Sequence, residues 1–136
     1  MRIDGGCHCG YLAYEAEIDP AQVRVCHCTD CQIFSGSAYS TFVAAARGSF
    51  RLLAGEPAVY VKTAESGNRR AQAFCPHCGT RIHASAEIEP QWFNLRVGTI
   101  RQRAELRPSV QIWCRSALPW AMDLASMEPF ARQPAA

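Results

Sequence analysis

The stretch that decides the fold is Cys75-Pro76-His77-Cys78-Gly79, a Cys-x-x-Cys-Gly turn typical of zinc knuckles. Both sulfurs of such a turn face one ion, and the glycine relieves crowding where the backbone turns back toward the thiolates. A second pair of thiols lies near the start of the chain, in Cys7-His8-Cys9. A disulfide in so small a ring would be strained, whereas two thiolates at Zn–S distances of about 2.3 Å fit one edge of a tetrahedron.

A third cluster follows the first pair, in Cys26-His27-Cys28-Thr29-Asp30-Cys31, and only Cys114 stands apart from the clusters. The first six residues carry no apolar stretch of the kind that a secretory signal needs, so we expect a cytoplasmic protein. Structural disulfides rarely persist in the reducing cytosol. The cysteines are therefore interpreted as metal ligands rather than as a disulfide framework.

The seven clustered thiols divide into a group of four and a group of three. Structural zinc takes four protein ligands, whereas catalytic zinc takes three and an open position. The pairs Cys7/Cys9 and Cys75/Cys78 supply four thiolates for a closed structural site, and Cys26, Cys28 and Cys31 are close enough in sequence to hold a second ion. Closing the chain between residues 9 and 75 costs several kcal/mol at most, which is less than the apparent zinc-binding free energy of about 10–16 kcal/mol.

Two other interpretations of the third cluster stay open. A histidine or Cys114 would complete it as a second closed zinc site, and the histidine candidates are His77 and His83. Alternatively, Cys28 and Cys31 would form a thioredoxin-like redox pair, although the βαβ context of that motif is missing.

The residues around the thiols have simpler interpretations. His8, His27 and His77 lie between cysteines, so we expect them to point toward solvent. Cys114 is expected to be a small buried residue on the apolar face of its strand. Asp30 either caps a short helical turn or orients a ligand or a proton.

Alternation of apolar and polar residues predicts a mainly β protein with little helix. The alternation is clearest over residues 11–18, where Leu12, Tyr14, Ala16 and Ile18 share one face. The other predicted strands cover 39–43, 49–53, 91–98 and 110–114, together with a hairpin formed by 58–62 and 70–74 through Glu65-Ser66-Gly67-Asn68. One helical turn is predicted over 29–34, with Thr29 or Asp30 as its cap.

The composition indicates one small domain. The 136 residues are 49% hydrophobic, and we expect a single domain over 1–131 with a frayed tail over 132–136. The net charge of +2 is too small to favour nucleic-acid binding. No stretch approaches the roughly 18 apolar residues of a membrane span, so we expect no membrane partner.

The cysteine clusters and their neighbours resemble the glutathione-dependent formaldehyde-activating enzyme family, also called the centromere protein V family. The matching segments are Gly5-Gly6-Cys7-His8-Cys9-Gly10, Cys26-His27-Cys28-Thr29-Asp30-Cys31-Gln32, Phe74-Cys75-Pro76-His77-Cys78-Gly79-Thr80 and Trp113-Cys114-Arg115-Ser116. The resemblance implies an Mss4-like fold of coiled antiparallel sheets held by zinc. It also implies a structural zinc on Cys7, Cys9, Cys75 and Cys78, and a catalytic zinc on Cys26, Cys28 and Cys31.

The resemblance further implies a carbon–sulfur lyase activity, the joining of glutathione and formaldehyde into S-hydroxymethylglutathione. Three thiolates around Zn²⁺ favour an incoming thiol, held as thiolate, over the activation of water. We therefore expect a small thiol and a small carbonyl compound as partners, with Arg70, Arg81 and Arg115 as candidates to pair with the carboxylates of glutathione. The alternative is a non-enzymatic zinc module that binds a partner or acts as a chaperone.

Overall fold

The computed structural model describes residues 1–135, and within them the chain is mainly β, as predicted. The strands are β1 (Arg2–Gly6), β2 (Ala13–Glu17), β3 (Arg24–Cys26), β4 (Ser40–Ala46), β5 (Arg51–Ala54), β6 (Ala58–Thr63), β7 (Arg69–Phe74), β8 (Arg81–Ala86), β9 (Trp92–Arg96) and β10 (Val110–Ile112). Helix α1 spans Thr29–Ser35, and short 3₁₀ turns span Pro20–Gln22, Val97–Thr99, Arg103–Glu105 and Cys114–Ser116.

The strands form two sheets. The smaller sheet has the order β1-β2-β5, and the larger has the order β10-β3-β4-β9-β8-β7-β6. All pairs are antiparallel except β10 and β3, which run parallel. The antiparallel sheets agree with the expected fold class, and the parallel pair is possible because a long stretch of chain separates its two strands.

The hydrophobic core lies between the two sheets. On β2 and its flanks, Leu12, Tyr14, Ala16 and Ile18 are all buried, which confirms the predicted alternation. They belong to one cluster with residues of the larger sheet that include Val43, Ala45 and Leu95. Because side chains alternate along a strand, Phe42, Asn94 and Arg96 lie on the opposite face of the larger sheet.

The predicted hairpin of β6 and β7 is present, with Gly67 in the left-handed region at its turn. The predicted strands over 39–43 and 49–53 correspond to β4 and β5, which lie in different sheets. Helix α1 also forms, but its N-cap is Cys28 rather than Thr29 or Asp30, because the Cys28 sulfur accepts the backbone N–H of Cys31. The cap therefore comes from the cysteine cluster itself.

The strand predicted over 110–114 ends earlier, and this corrects the prediction for Cys114. Strand β10 stops at Ile112 because Trp113 adopts a left-handed backbone conformation with φ of 57°. The chain then turns into a short 3₁₀ helix, so Cys114 is exposed and not a buried strand residue.

The last part of the chain contributes no strand within the described residues, from the 3₁₀ turn at Cys114–Ser116 to residue 135. Residues 132–135 of the predicted tail are exposed, and residue 136 lies outside the described residues. Among residues 1–135, no helix has both the length and the apolar character needed to span a membrane.

Candidate metal centre

The four-thiol cluster brings together the pairs Cys7/Cys9 and Cys75/Cys78, which the sequence analysis assigned to one zinc site. The ligand atoms of Cys7, Cys9, Cys75 and Cys78 all lie within 4.8 Å of one another. The sulfurs of Cys7 and Cys9 are 3.6 Å apart, and those of Cys9 and Cys75 are 3.7 Å apart. Tetrahedral zinc with Zn–S distances of about 2.3 Å separates its sulfurs by about 3.8 Å. The spacing and the donor set therefore fit zinc, and no disulfide joins these residues.

Tight turns aim these sulfurs at one point. Cys7 follows β1, where its N–H donates to the Leu12 carbonyl at 3.1 Å, and the Leu12 N–H donates back to the Cys7 sulfur at 3.2 Å. In the second turn the N–H of Gly79 donates to the Cys75 carbonyl at 2.8 Å. Gly79 has φ of 77°, as expected for the glycine that follows a zinc turn.

Thr80 joins the two halves of the four-thiol cluster. Its hydroxyl oxygen accepts the N–H of His8 at 3.1 Å and lies 3.2 Å from the Cys78 sulfur. The hydrogen bond from this hydroxyl lowers the pKa of the Cys78 thiol to about 5. A thiol that loses its proton so readily is prepared to act as a metal ligand.

The three-thiol cluster of Cys26, Cys28 and Cys31 lies where β3 leads into α1. Cys26 ends β3, Cys28 caps the helix and Cys31 lies in its first turn, and their sulfurs lie within 4.8 Å of one another. A hydrogen bond with Cys26 is the main cause that lowers the pKa of the Cys31 thiol to about 5, and the positive charge of Arg96 contributes to that lowering. The same hydrogen bond, together with burial, raises the pKa of the Cys26 thiol.

The structure corrects the prediction for one of the histidines. His8 and His77 are exposed, as expected, but His27 is completely buried. Its Nε2 lies 2.9 Å from the Gln111 side-chain oxygen, and its ring packs edge-on against Tyr39. His27 follows Cys26 directly, so the alternation of the strand turns its side chain away from the face that carries the thiol.

No side chain of the described residues completes the three-thiol cluster as a fourth ligand. Among residues 1–135, its group of metal-ligating atoms contains neither a histidine nor Cys114. His77 instead packs against Tyr11, with ring centroids 4.0 Å apart. His83 packs between Phe50 and Phe93, and burial lowers its pKa to about 4.

A cavity of about 480 Å³ opens beside the three-thiol cluster. Its floor is the face of the larger sheet that points away from the core, since register pairs Arg96 with Phe42, and Lys62 with Arg70. Helix α1 and the segment after β10 form its walls. Its lining includes Cys26, Cys28, Cys31, Asp30, Lys62, Glu65, Arg70, Gln72, Asn94, Arg96, Trp113 and Arg115.

Two ion pairs connect the parts that surround this cavity. Lys62 on β6 donates to the Asp30 carboxylate on α1 at 2.5 Å, so Asp30 pairs with a cation instead of capping the helix. Arg115 makes two hydrogen bonds, of 3.0 and 3.1 Å, to the Glu65 carboxylate in the β6–β7 turn. Gln32 adds a third link, because its amide donates to the carbonyls of His27 and Ser116 at 2.9 and 3.0 Å.

The cations predicted from the sequence occupy different places. Arg70 and Arg115 line the cavity, whereas Arg81 lies over the Phe34 ring in a neighbouring cavity. Arg96 lines both cavities and was not predicted. Burial lowers the pKa of Arg70 and Arg96, and that of Arg81 to about 10, yet all three stay protonated at neutral pH.

Comparisons with known proteins agree with this arrangement. The family described as glutathione-dependent formaldehyde-activating enzyme matches residues 2–116. No curated protein matches the chain. A crystal structure of a Rhodobacter sphaeroides protein superposes with a TM-score of 0.62 at 20% sequence identity, over 79% of this chain and 98% of that one. The likeness concerns the fold, and it fits the Mss4-like architecture that the family resemblance implied.

Proposed function

The chain belongs to the glutathione-dependent formaldehyde-activating enzyme family, and from this premise we propose that it is a carbon–sulfur lyase-type enzyme. Its proposed reaction adds a small, glutathione-like thiol to a small carbonyl compound such as formaldehyde, or reverses that addition. The observation that carries the proposal is a cluster of three thiols, without a fourth ligand-type side chain among the described residues, beside a cavity of about 480 Å³. Structural zinc would require a fourth protein ligand, whereas catalytic zinc leaves one position for substrate.

We assign two zinc ions to the chain, because thiolates are soft ligands that select zinc and similar metals. Cys7, Cys9, Cys75 and Cys78 would hold a structural ion, and Cys26, Cys28 and Cys31 would hold the catalytic one. The catalytic ion would supply the positive charge that keeps an incoming thiol in its thiolate form.

The chain's own groups account for the remaining steps. As the thiol sulfur attacks the carbonyl carbon, a C–S bond forms and the π electrons of the C=O bond move to oxygen. The proton released by the thiol is returned to that oxygen, so the product is a hydroxyalkyl thioether and no electrons are exchanged with an outside reagent. Lys62 lines the same cavity with its ammonium held by Asp30, and we assign it the role of hydrogen-bond donor to the developing oxyanion.

The same proposal places the activity in a single domain over residues 1–131 of a cytoplasmic protein. Its partners are small molecules and not nucleic acid. The structural zinc ion would hold the domain together, and the catalytic one would supply the site.

The proposed activity can be measured by NMR exchange spectroscopy on zinc-loaded protein. The rate of adduct formation between formaldehyde and glutathione, cysteine or 2-mercaptoethanol is compared with the uncatalysed rate. We expect acceleration with at least one thiol, and a return to the uncatalysed rate in Cys28→Ser with loss of one of two bound zinc ions. Cys114→Ser is the matched control, because Cys114 is exposed and belongs to neither cluster.

Absence of acceleration with every thiol, in protein that carries both zinc ions, would contradict the enzymatic proposal. That outcome would favour the non-enzymatic zinc module, in which the three-thiol cluster is a second structural site. Formation of a disulfide among Cys26, Cys28 and Cys31 under mild oxidant, with loss of zinc, would instead favour a redox function.

A further inference from the structure

Two guanidinium groups on the cavity floor lack an acidic partner. Among residues 1–135, neither Arg70 nor Arg96 takes part in an ion pair. Arg96 has one long contact, of 3.5 Å, to the Gln72 side-chain oxygen, and its Nε is buried without a hydrogen-bond acceptor. Both residues are half-buried and neither has a carboxylate partner, and a buried guanidinium N–H without an acceptor is costly, so this pair of side chains points to an anion that binds from outside.

The balance of charge in the cavity favours an anionic ligand. Asp30 neutralises Lys62, and Glu65 neutralises Arg115. Three thiolates around a zinc ion carry one net negative charge, whereas the two guanidiniums carry two positive charges. The excess of positive charge around the thiol cluster attracts an anionic ligand, and arginine binds carboxylates through two parallel hydrogen bonds.

The position of the guanidiniums limits the size of the ligand. Only β4 lies between β3, which carries Cys26, and β9, which carries Arg96. Neighbouring strands are about 4.8 Å apart, so the two backbones are separated by about 10 Å across the sheet. Cys26 and Arg96 line one cavity, so a molecule of a few heavy atoms that binds at the thiol cluster can also reach the Arg96 guanidinium. Arg70 lies on β7, with β8 between it and β9, and its positive charge acts on Arg96 across the same cavity floor.

We propose that Arg70 and Arg96 form a carboxylate-binding subsite, and that the substrate is a small acid whose carboxylate lies next to the reacting atom. Two sources share this chemistry: a 2-mercapto acid as the thiol, or a 2-oxo acid as the carbonyl compound. The inference rests on the proposed function, because the three-thiol cluster is taken as the reacting centre.

Binding to the zinc-loaded full chain, measured by calorimetry, tests the subsite through two matched pairs of probes. Mercaptoacetate is compared with 2-mercaptoethanol, and glyoxylate with glycolaldehyde, so that each pair differs in one carboxylate. We expect the carboxylate to bind at least about tenfold more tightly in one of the two pairs, which also identifies the source. This preference should fall below about threefold in Arg70→Gln.

Arg69→Gln is the matched control and should keep the preference. Arg69 precedes Arg70 on β7, so its side chain lies on the other face, where it is paired with Glu87. Equal binding within both pairs would overturn the proposal even without a variant, and so would a preference that persists in Arg70→Gln. A carboxylate preference without turnover of any thiol and carbonyl pair would contradict the proposed function alone, whereas turnover without the preference would contradict only the subsite.

Discussion

The two cysteine clusters use the same side chain in opposite surroundings. The four-thiol cluster is backed by the core: Cys75 is fully buried, and Cys7 packs against the core cluster. The three-thiol cluster lies on the far side of the larger sheet, beside a cavity with charged walls. The comparison teaches that the surroundings of the sulfurs add a second criterion to the number of thiols. The core behind Cys7 and Cys75 leaves no room for a ligand on that side, whereas the cavity beside the three-thiol cluster does.

The largest expected effect comes from removing one thiol from each cluster. Cys75→Ser should abolish cooperative folding, because apparent zinc binding at structural sites contributes about 10–16 kcal/mol. Cys28→Ser should lose one zinc ion and still melt cooperatively. Thermal unfolding followed by circular dichroism, with metal analysis of each variant, checks both. Equal loss of structure in the two variants would mean that both clusters are structural.

Truncating an apolar neighbour of each cluster sharpens the same comparison. Leu12 is buried beside Cys7, so Leu12→Ala should lower the free energy of unfolding by about 2–5 kcal/mol. Ile33 lies on α1 next to the other cluster but is 78% exposed, and Ile33→Ala should cost less than about 0.5 kcal/mol. Urea unfolding of both variants measures the difference. Similar losses of unfolding free energy in the two variants would show that the Ile33 side of α1 is buried in solution.

Low pH should lower the stability of the fold through His83, which lies on the core side of the larger sheet. Burial lowers the pKa of this histidine to about 4. Below pH 6.5 the unfolded chain therefore binds a proton at His83 that the folded chain does not bind, and this difference destabilises the folded state. Its contribution to stability is complete above pH 6.5 and is lost as the pH falls toward 4, by about 3 kcal/mol at most. Wild type should therefore lose more stability than His83→Gln between pH 7 and pH 4.5, measured by urea unfolding. Parallel pH profiles would contradict a neutral buried His83.

A smaller effect than at Leu12 or His83 is expected at the link between α1 and the end of the chain. Gln32→Ala removes two hydrogen bonds, to the carbonyls of His27 and Ser116, and should cost about 1–2 kcal/mol. Gln91→Ala is the control, because Gln91 makes one exposed contact to a carbonyl two residues away. Equal unfolding free energies of the two variants would show that this link does not stabilise the three-thiol side.

The grouping of the thiols was predictable because ligand spacing is a local property. Cys75 and Cys78 are three residues apart in a turn that ends in glycine, and the pair Cys7/Cys9 supplies the two further ligands that a closed zinc site needs. The strand around Tyr14 was equally predictable, since the face that carries Leu12, Tyr14, Ala16 and Ile18 is apolar throughout and all four side chains are buried.

The environment of the cavity was not predictable, because it depends on how distant strands pair. Alternation on β9 places the side chains of Arg96 and Leu95 on opposite faces of the sheet. From the sequence alone, Arg96 cannot be distinguished from an ordinary solvent-exposed arginine. Only the order β3-β4-β9 brings Arg96 to the floor beside the cysteines. The prediction for Cys114 was wrong for a related reason: the left-handed conformation of Trp113 ends the strand, and nothing in the alternation of 110–114 signals it.

That same turn gives the protein an internal optical reporter. Trp113 lines the cavity, with the Arg115 guanidinium 4.9 Å from its ring centroid, whereas Trp92 and Trp120 are 58% and 53% exposed and lie outside the cavity lining. A molecule that enters the cavity changes the surroundings of one indole out of three. Occupancy can thus be followed by intrinsic fluorescence on the native chain, without attaching a dye.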